Sequence, residues 1–347
     1  MKKTLIALPL AALLVACGSN TGGGGGGSSG DIRIVGSSTV YPFTKAVAED
    51  FMRANAGTNV TVESTGTGAG MKLFCAGVGS QHPDIEDASR AIKKSEYDDC
   101  VKNGVKTIIE VPVGIDGLTV IESTSGPAMN LTQADIYKAL AANPFGKGPN
   151  TAKTWKDVNP SLPAIKIRVL GPPPTSGTRD SLADLYLEKG CDTDPAMKEL
   201  KKSNEDEHKK VCTKIREDGA YVEAGENDNL MVQKVSVDPG TLGILGFSYL
   251  DENADRVRPV QIAGITPSEE TIANLSYPGA RKLYIYLKGE HLPAKPALKD
   301  FVAAYSKQWG TGGPLEKRGL VPFAGADSEA ASKQATELKP LDPSTLK

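Results

Sequence analysis

Three times along the chain, a short apolar run that reads as a strand breaks into a loop of Ser, Thr and Gly and resumes at helical spacing. The loops are Gly36-Ser37-Ser38-Thr39, Thr65-Gly66-Thr67-Gly68-Ala69-Gly70 and Thr175-Ser176-Gly177-Thr178-Arg179. In the first unit Ile32-Arg33-Ile34-Val35 alternates as a strand. Val40, Phe43, Val47 and Phe51 then recur on one helical face, with Pro42 near its start. In the second, residues 59–64 alternate, and Met71, Phe74 and Cys75 supply a short apolar face. In the third, residues 166–170 read as a strand, and Leu182, Leu185 and Tyr186 as the buried side of a helix. Repetition of this kind calls for α/β layers rather than a helical bundle or a β-sandwich. It also builds three hydroxyl-rich helix heads. Helix N-termini leave N–H groups unpaired and carry partial positive charge, so loops like these cradle a small oxyanion when they converge.

Ahead of these units Lys2 and Lys3 precede an apolar run, Leu5 to Ala16, that ends at Cys17. The run is short for a membrane span and has the form of a secretory leader; Leu14-Val15-Ala16-Cys17 resembles a lipobox, whose Cys is acylated and becomes the mature N-terminus. Residues 18–30 are almost wholly Gly and Ser, a tether that lets a folded body range roughly 20 Å from a lipid anchor. The expected order is therefore leader at 1–17, tether at 18–30, and folded body from Asp31. A body of that length exceeds what one core usually supports, so two domains are expected. The formal net charge of −2 gives no basic footprint for nucleic acid.

Beyond Cys17 the cysteines are Cys75, Cys100, Cys191 and Cys212. An exported chain favours disulfides. Cys75 with Cys100 and Cys191 with Cys212 is the preferred pairing, because each bond closes a local loop inside one lobe; the two other pairings stay open on sequence alone. A zinc site is disfavoured, because Cys-x-x-Cys is absent and His82, His208 and His291 are scattered. No metal and no cofactor is expected. Enzyme readings are weak as well. No histidine stands in recognisable spacing from Ser38 or Ser176, and the glycines of Thr65 to Gly70 miss the dinucleotide-binding pattern.

Residues 107–113 and 118–121 read as strands, and Thr132 with Asp135 as a capping box. Residues 198–217 are crowded with charge and read as a solvated surface. Residues 257–260 and 283–287 are expected as further strands of the first lobe. With crossings near 112–117 and 247–255, lobe 1 comprises 31–115 and 252–325 and lobe 2 comprises 116–251, with a ligand cleft between lobes that close as rigid bodies. Asn227 or Asn229 is a further candidate for the cleft wall, against a plain polar turn. The tail, 326–347, is rich in Ala, Ser, Lys, Glu and Pro and reads as frayed.

Six segments in order carry a family likeness: Val35-Gly-Ser-Ser-Thr-Val-Tyr-Pro-Phe43, Ser64-Thr-Gly-Thr-Gly-Ala-Gly70, Ala88-Ser-Arg-Ala-Ile-Lys93, Ile115-Asp-Gly-Leu118, Ser176-Gly-Thr-Arg179 and Tyr277-Pro-Gly-Ala-Arg-Lys-Leu-Tyr284. Through them the chain resembles the phosphate-binding proteins that feed bacterial ABC transporters. The resemblance covers most of Asp31 to Phe323 and implies the two-lobed type II periplasmic binding protein fold, an α/β architecture with a mostly parallel sheet in each lobe. It implies capture of inorganic phosphate without chemistry, delivery to an ABC permease, and a monomer held at the membrane only by its anchor. On the family's pattern Ser38, Thr39 and Thr67 match ligand contacts of one lobe, and Ser176, Gly177 and Thr178 match those of the other.

Two positions depart from that pattern. Many relatives place Asp after Ala-Ser, where a carboxylate accepts the proton of hydrogen phosphate and repels sulfate; here the position holds Arg90. Asp116 is the nearest substitute carboxylate, with an Asx turn as its structural alternative. Relatives also often carry Arg four residues before the Ser of Ser-Gly-Thr, where this chain has Pro172. Arg90 or Arg179 is then expected to supply the charge, since a guanidinium fork can reach an oxyanion from either lobe. Sulfate, phosphite or arsenate as ligand, and an anion-sensing surface lipoprotein, are the alternatives; a hydrolase is weaker.

Overall fold

The computed structural model of the protein describes residues 30–174, 176–225 and 228–346. The leader, Cys17, the Gly/Ser tether, Thr175 of the third loop and Asn227 lie outside them. Among the described residues no helix is long and apolar enough to cross a membrane.

The strands are β1 (Ile32–Gly36), β2 (Val60–Ser64), β3 (Ile85–Ala88), β4 (Ile108–Ser123), β5 (Asn130–Leu131), β6 (Val169–Gly171), β7 (Tyr221–Glu223), β8 (Leu242–Gly246), β9 (Val257–Pro259), β10 (Gln261–Ile262) and β11 (Ala280–Lys288). The main sheet runs β2-β1-β3-β11-β4-β8-β6-β7, with β9 on the far end of β4. β1 lies parallel between β2 and β3, and β6 parallel between β7 and β8. These two parallel groups are the halves of the molecule. β4 and β11 join them as antiparallel strands.

The two strands expected at 107–113 and 118–121 merge into the single strand β4. Ile109, Val111, Val113 and Ile115 are almost fully buried and alternate with Glu110, Pro112, Gly114 and Asp116, whereas Leu118, Thr119, Val120 and Ile121 are buried in succession, so the first half of the strand alternates and the second is covered on both faces. β4 pairs with β11 up to Gly117 and with β8 from Leu118 onward. A crevice forms where a sheet changes partners in this way, because the flanking connections diverge.

The first helix, Tyr41–Ala54, has Pro42 in its first turn and buries Phe43, Val47 and Phe51, the face its spacing called for. Phe51 meets Phe301 edge-on, with ring centroids 5.5 Å apart. The Thr132–Asp135 capping box heads the helix Gln133–Leu140. The structure joins Cys75 to Cys100 and Cys191 to Cys212, one bond in each half. Each removes chain entropy from the unfolded state, on the order of 3 kcal/mol for loops of this length.

Two expectations need correction. Val257 to Val260 does not extend the first half: β9 pairs with Ile121 to Ser123 at the far end of β4, and β10 pairs with β5. The chain therefore returns to the first half later, near Gly279, whose carbonyl accepts from the Leu118 N–H. The tail is not frayed. Gly325–Glu337 is a helix whose Ala331 and Ala335, one turn apart, are buried. Small side chains at that spacing let a helix approach closely despite a composition poor in large apolar residues. Beyond it, the Leu341 N–H bonds to the Ile108 carbonyl.

Candidate functional site

The loops that follow β1, β2, β3 and β6 all leave the carboxyl ends of parallel strands and open on one cleft of about 1280 Å³. Close backbone approach brings their helix heads together. A Cβ at Gly70 would strike the Gly36 backbone, so the helix Thr67–Phe74 starts directly against the end of β1. A Cβ at Gly177 would collide with the Ser38 carbonyl, so the head of the helix Gly177–Leu182 rests against the head of Tyr41–Ala54 across the cleft.

Polar contacts seal that junction. The Ser37 hydroxyl takes the Thr39 N–H at 3.1 Å, which folds the first loop just ahead of its helix, and Ser176 Oγ takes the Thr178 N–H at 3.2 Å and caps the helix Gly177–Leu182. The Ser38 hydroxyl donates to the Asp180 carboxylate, and the Thr39 hydroxyl donates to the Gly177 carbonyl at 3.0 Å.

At the centre lies Arg281, on β11 directly opposite Asp116 on β4. Its guanidinium is only 9% exposed and reaches four groups: Asp116 Oδ2 at 3.2 Å through Nε, Asp184 Oδ2 at 2.7 Å through Nη1, and Thr39 Oγ1 at 3.0 Å and Ser181 Oγ at 2.7 Å through Nη2. Ser181 in turn donates to Asp116 Oδ2 at 2.7 Å. Asp116 is thus part of a charge network and not merely a turn cap. Sequence reasoning missed Arg281, Ser181, Asp180 and Asp184. Arg281 lies inside the Tyr277 to Tyr284 segment that carried the family likeness, so its signal was present; its partner Asp116 is set by strand register, which the sequence does not display.

On the other flank Thr67 Oγ1 stands 3.0 Å from Ser89 Oγ and accepts the Ser89 N–H at 3.1 Å, which ties the second loop to the loop after β3. Ser89 lines the cleft beside Ser38, Thr67 and Arg90. Arg90 is paired with a single carboxylate, its two terminal nitrogens forking onto Glu96 at 2.9 and 2.7 Å. Burial works against its charge, but the Glu96 contacts outweigh that and hold its pKa above the ordinary value. Arg179 turns away from the cleft, lying 4.7 Å over the Tyr221 ring and donating to the Pro172 carbonyl at 3.0 Å. Residues 198–217, read as bare surface, contribute Lys201, Glu205, Asp206 and Lys209 to the cleft wall, and Lys93 pairs with Glu205 across it.

Beneath the first two loops β3 carries two buried carboxyls. Burial pushes Asp87 up to about 8, against the hydrogen bond donated by Thr44 at 2.9 Å. Glu86 has no hydrogen-bond partner for either oxygen, and burial pushes it well above its ordinary value, with the neighbouring Asp87 adding to the effect. Asp87 is therefore largely protonated near neutral pH.

Comparison with known proteins bears on what this cleft is for. The sequence model of the PBP superfamily domain matches residues 21–305. The chain belongs to the PBP superfamily. It is 34% identical over 307 residues to Protein SphX of Synechococcus elongatus, covering 86% of this chain and 79% of that one. It is 28% identical to the phosphate-binding protein PstS of Staphylococcus saprophyticus, covering 85% and 82%. Among solved structures it resembles a possible phosphate binding protein from Planctomyces limnophilus, with a TM-score of 0.71 and 28% identity over 89% of this chain and 98% of that one. The two-lobed α/β architecture expected from the motifs is the architecture of this superfamily.

Proposed function

We propose that this PBP superfamily member is an extracytoplasmic receptor that captures inorganic phosphate between its halves and hands it to an ABC permease. The observation that carries the reading is Arg281, a nearly buried guanidinium set among Thr39, Ser181, Asp116 and Asp184 at the mouth of converging helix heads. Ser38, Thr67 and Ser89 add hydroxyls along the same cleft, and the head of Thr67–Phe74 adds N–H groups and partial positive charge. The phosphate-binding relatives support the same ligand.

The carboxylates favour phosphate over sulfate. Asp116 and Asp184 pair with the cation and Asp180 takes the Ser38 hydroxyl, and an anion that keeps a proton can donate to a carboxylate where a fully ionised one is repelled. In this reading Arg281 takes the place left by Pro172, and Asp116 with Asp180 takes the place left by Arg90. Binding is non-covalent: micromolar capture is about 8 kcal/mol, within reach of several charge-assisted hydrogen bonds in a desolvated cleft. The ligand shifts a hinge equilibrium toward the closed form that docks on the permease. A lipid on Cys17 would keep the receptor at the membrane.

Calorimetric titration of the anion-stripped protein with phosphate and then sulfate, from pH 5 to 8, tests this. Tight phosphate binding with sulfate at least a hundredfold weaker is expected, roughly 3 kcal/mol of discrimination. Equal affinity for the two anions would refute the carboxylate argument, and no response to either would refute the reading as a whole.

A further inference from the structure

The Cys191–Cys212 disulfide has a third partner that the spacing of the histidines concealed. His208 lies on the helix Glu205–Thr213 four residues before Cys212, on the same face, and the fold brings both to Cys191. A ring nitrogen of His208 and the two sulfurs all lie within 4.8 Å of one another, and all three residues are fully buried. His208 Nε2 is 2.8 Å from Asp192 Oδ1, while its Nδ1 is buried with no hydrogen-bond partner. With the proton on Nε2 and given to Asp192, Nδ1 keeps a bare lone pair in a dry site. That is the tautomer a metal-ligating histidine takes, held by a carboxylate behind it. Asp192 is itself fixed by Lys201 Nζ at 2.9 Å, and Cys191 Sγ is 3.2 Å from the Tyr137 hydroxyl.

We propose that opening this disulfide converts it into a Zn²⁺ site, with the Cys191 and Cys212 thiolates and His208 Nδ1 as protein ligands and a water in the fourth position. Two thiolates and an imidazole suit a borderline-soft d¹⁰ cation and not Mg²⁺ or Ca²⁺. The steps balance. A phosphine reductant takes the oxygen of one water to become the phosphine oxide, and the water's two protons and the electron pair from phosphorus turn the S–S bond into two thiols. Zn²⁺ then displaces both thiol protons to solvent as the two S–Zn bonds form. Disulfide and metal are alternative staples between the end of the helical run Gly177 to Cys191 and the helix that carries Glu205 and Lys209 on the cleft wall. The Cys75–Cys100 bond serves as an internal control, since no histidine joins it in a ligand cluster among the described residues.

The test is Co²⁺ titration of the full chain, with and without prior phosphine reduction, followed by Zn²⁺ competition. Expected is one Co²⁺ per reduced chain with a thiolate-to-metal charge-transfer band, displaced by Zn²⁺, and no band in the oxidised protein. His208→Ala should weaken Zn²⁺ at least tenfold and Asp192→Asn about tenfold, while the Cys75→Ser, Cys100→Ser double variant keeps the affinity of the parent. Absence of the band in a reduced, folded chain overturns the proposal, as does equal affinity in the His208→Ala variant. Circular dichroism covers the remaining case: if reduction unfolds the chain and Zn²⁺ does not restore it, the site cannot staple the fold and the proposal fails.

Discussion

The two flanks of the cleft are built differently. Where Tyr41–Ala54 meets Gly177–Leu182, backbone lies on backbone at Gly177 and Ser38, and every polar group named there has a fixed protein partner. Where the loops after β2 and β3 face the helix Glu205–Thr213, the Lys93–Glu205 ion pair spans the gap and its walls carry Lys72, Lys189, Lys201 and Lys209 with Glu188 and Asp206. In the proposed receptor the sealed flank supplies preorganised dipoles and one desolvated cation, which would set affinity; the second flank supplies mostly exposed charge, which would steer an anion inward and be screened by salt. Substitutions on the first flank should therefore act on Kd and those on the second mainly on association rate.

Arg281 offers the sharpest test. Arg281→Ala leaves Asp116 and Asp184 without their cation and should weaken phosphate at least a hundredfold, about 3 kcal/mol, by calorimetry. Arg281→Lys keeps charge but not the fork and should recover only part. Wild-type affinity in the alanine variant would make the two flanks equivalent. Next in size, Gly177→Val forces a side chain into the Ser38 carbonyl and should cost about 2 kcal/mol of binding by holding the halves apart, with little change in unfolding temperature. Unchanged affinity would mean that this contact is not the closed form's.

Asp87 supports the sealed flank from below, since Thr44 hangs the helix Tyr41–Ala54 on it and its carbonyl lies against Gly36. Its pKa rises from an ordinary 3.8 in the unfolded chain to about 8 in the folded one. Folding therefore holds a proton that the unfolded chain releases. This contribution to stability is complete below pH 4 and is lost as pH rises toward 8, at up to about 1.4 kcal/mol per pH unit. Asp87→Asn has no proton to release. The stability difference between wild type and this variant, from urea unfolding at steps between pH 5 and 8, should shift steadily in the variant's favour as pH rises; a flat difference would show that Asp87 ionises normally in the fold.

The legibility of the sequence follows the same division. Helix heads are local, so Ser38, Thr39, Thr67 and Gly177 could be read from short segments, as could the buried faces of their helices. What failed was whatever depends on pairing. Arg281 becomes a site residue only because β11 runs antiparallel to β4 in a register that sets it opposite Asp116. β9 joins the second half because the last residues of β4 still need a partner beyond β8. The C-terminal helix packs through two alanines that look featureless in a polar tail, and His208 looked scattered until the helix placed it one turn from Cys212.

The smallest expected effects fall on the two arginines the sequence favoured, and they discriminate between flanks because charge alone would rank them with Arg281. Arg90 lines the cleft, yet both of its terminal nitrogens are spent on Glu96, the residue that also caps the helix Lys94–Lys102 through the Lys93 N–H at 2.9 Å. Arg90→Ala should then cost about 1 kcal/mol in phosphate affinity, mostly through a slower association rate that flattens as salt is raised. Arg179 has its guanidinium on the Tyr221 ring, donates to the Pro172 carbonyl and lies 3.9 Å from Glu223, outside the cleft. Arg179→Ala should lower stability by about 0.5–1 kcal/mol through the lost ring contact and leave Kd within about twofold. Stopped-flow and calorimetry on the pair separate the cases. If Arg179→Ala weakened phosphate as much as Arg281→Ala, the cation at the ligand would be set by the head of the third loop, and the preorganised centre would have to move from the β4–β11 pair to the end of β6.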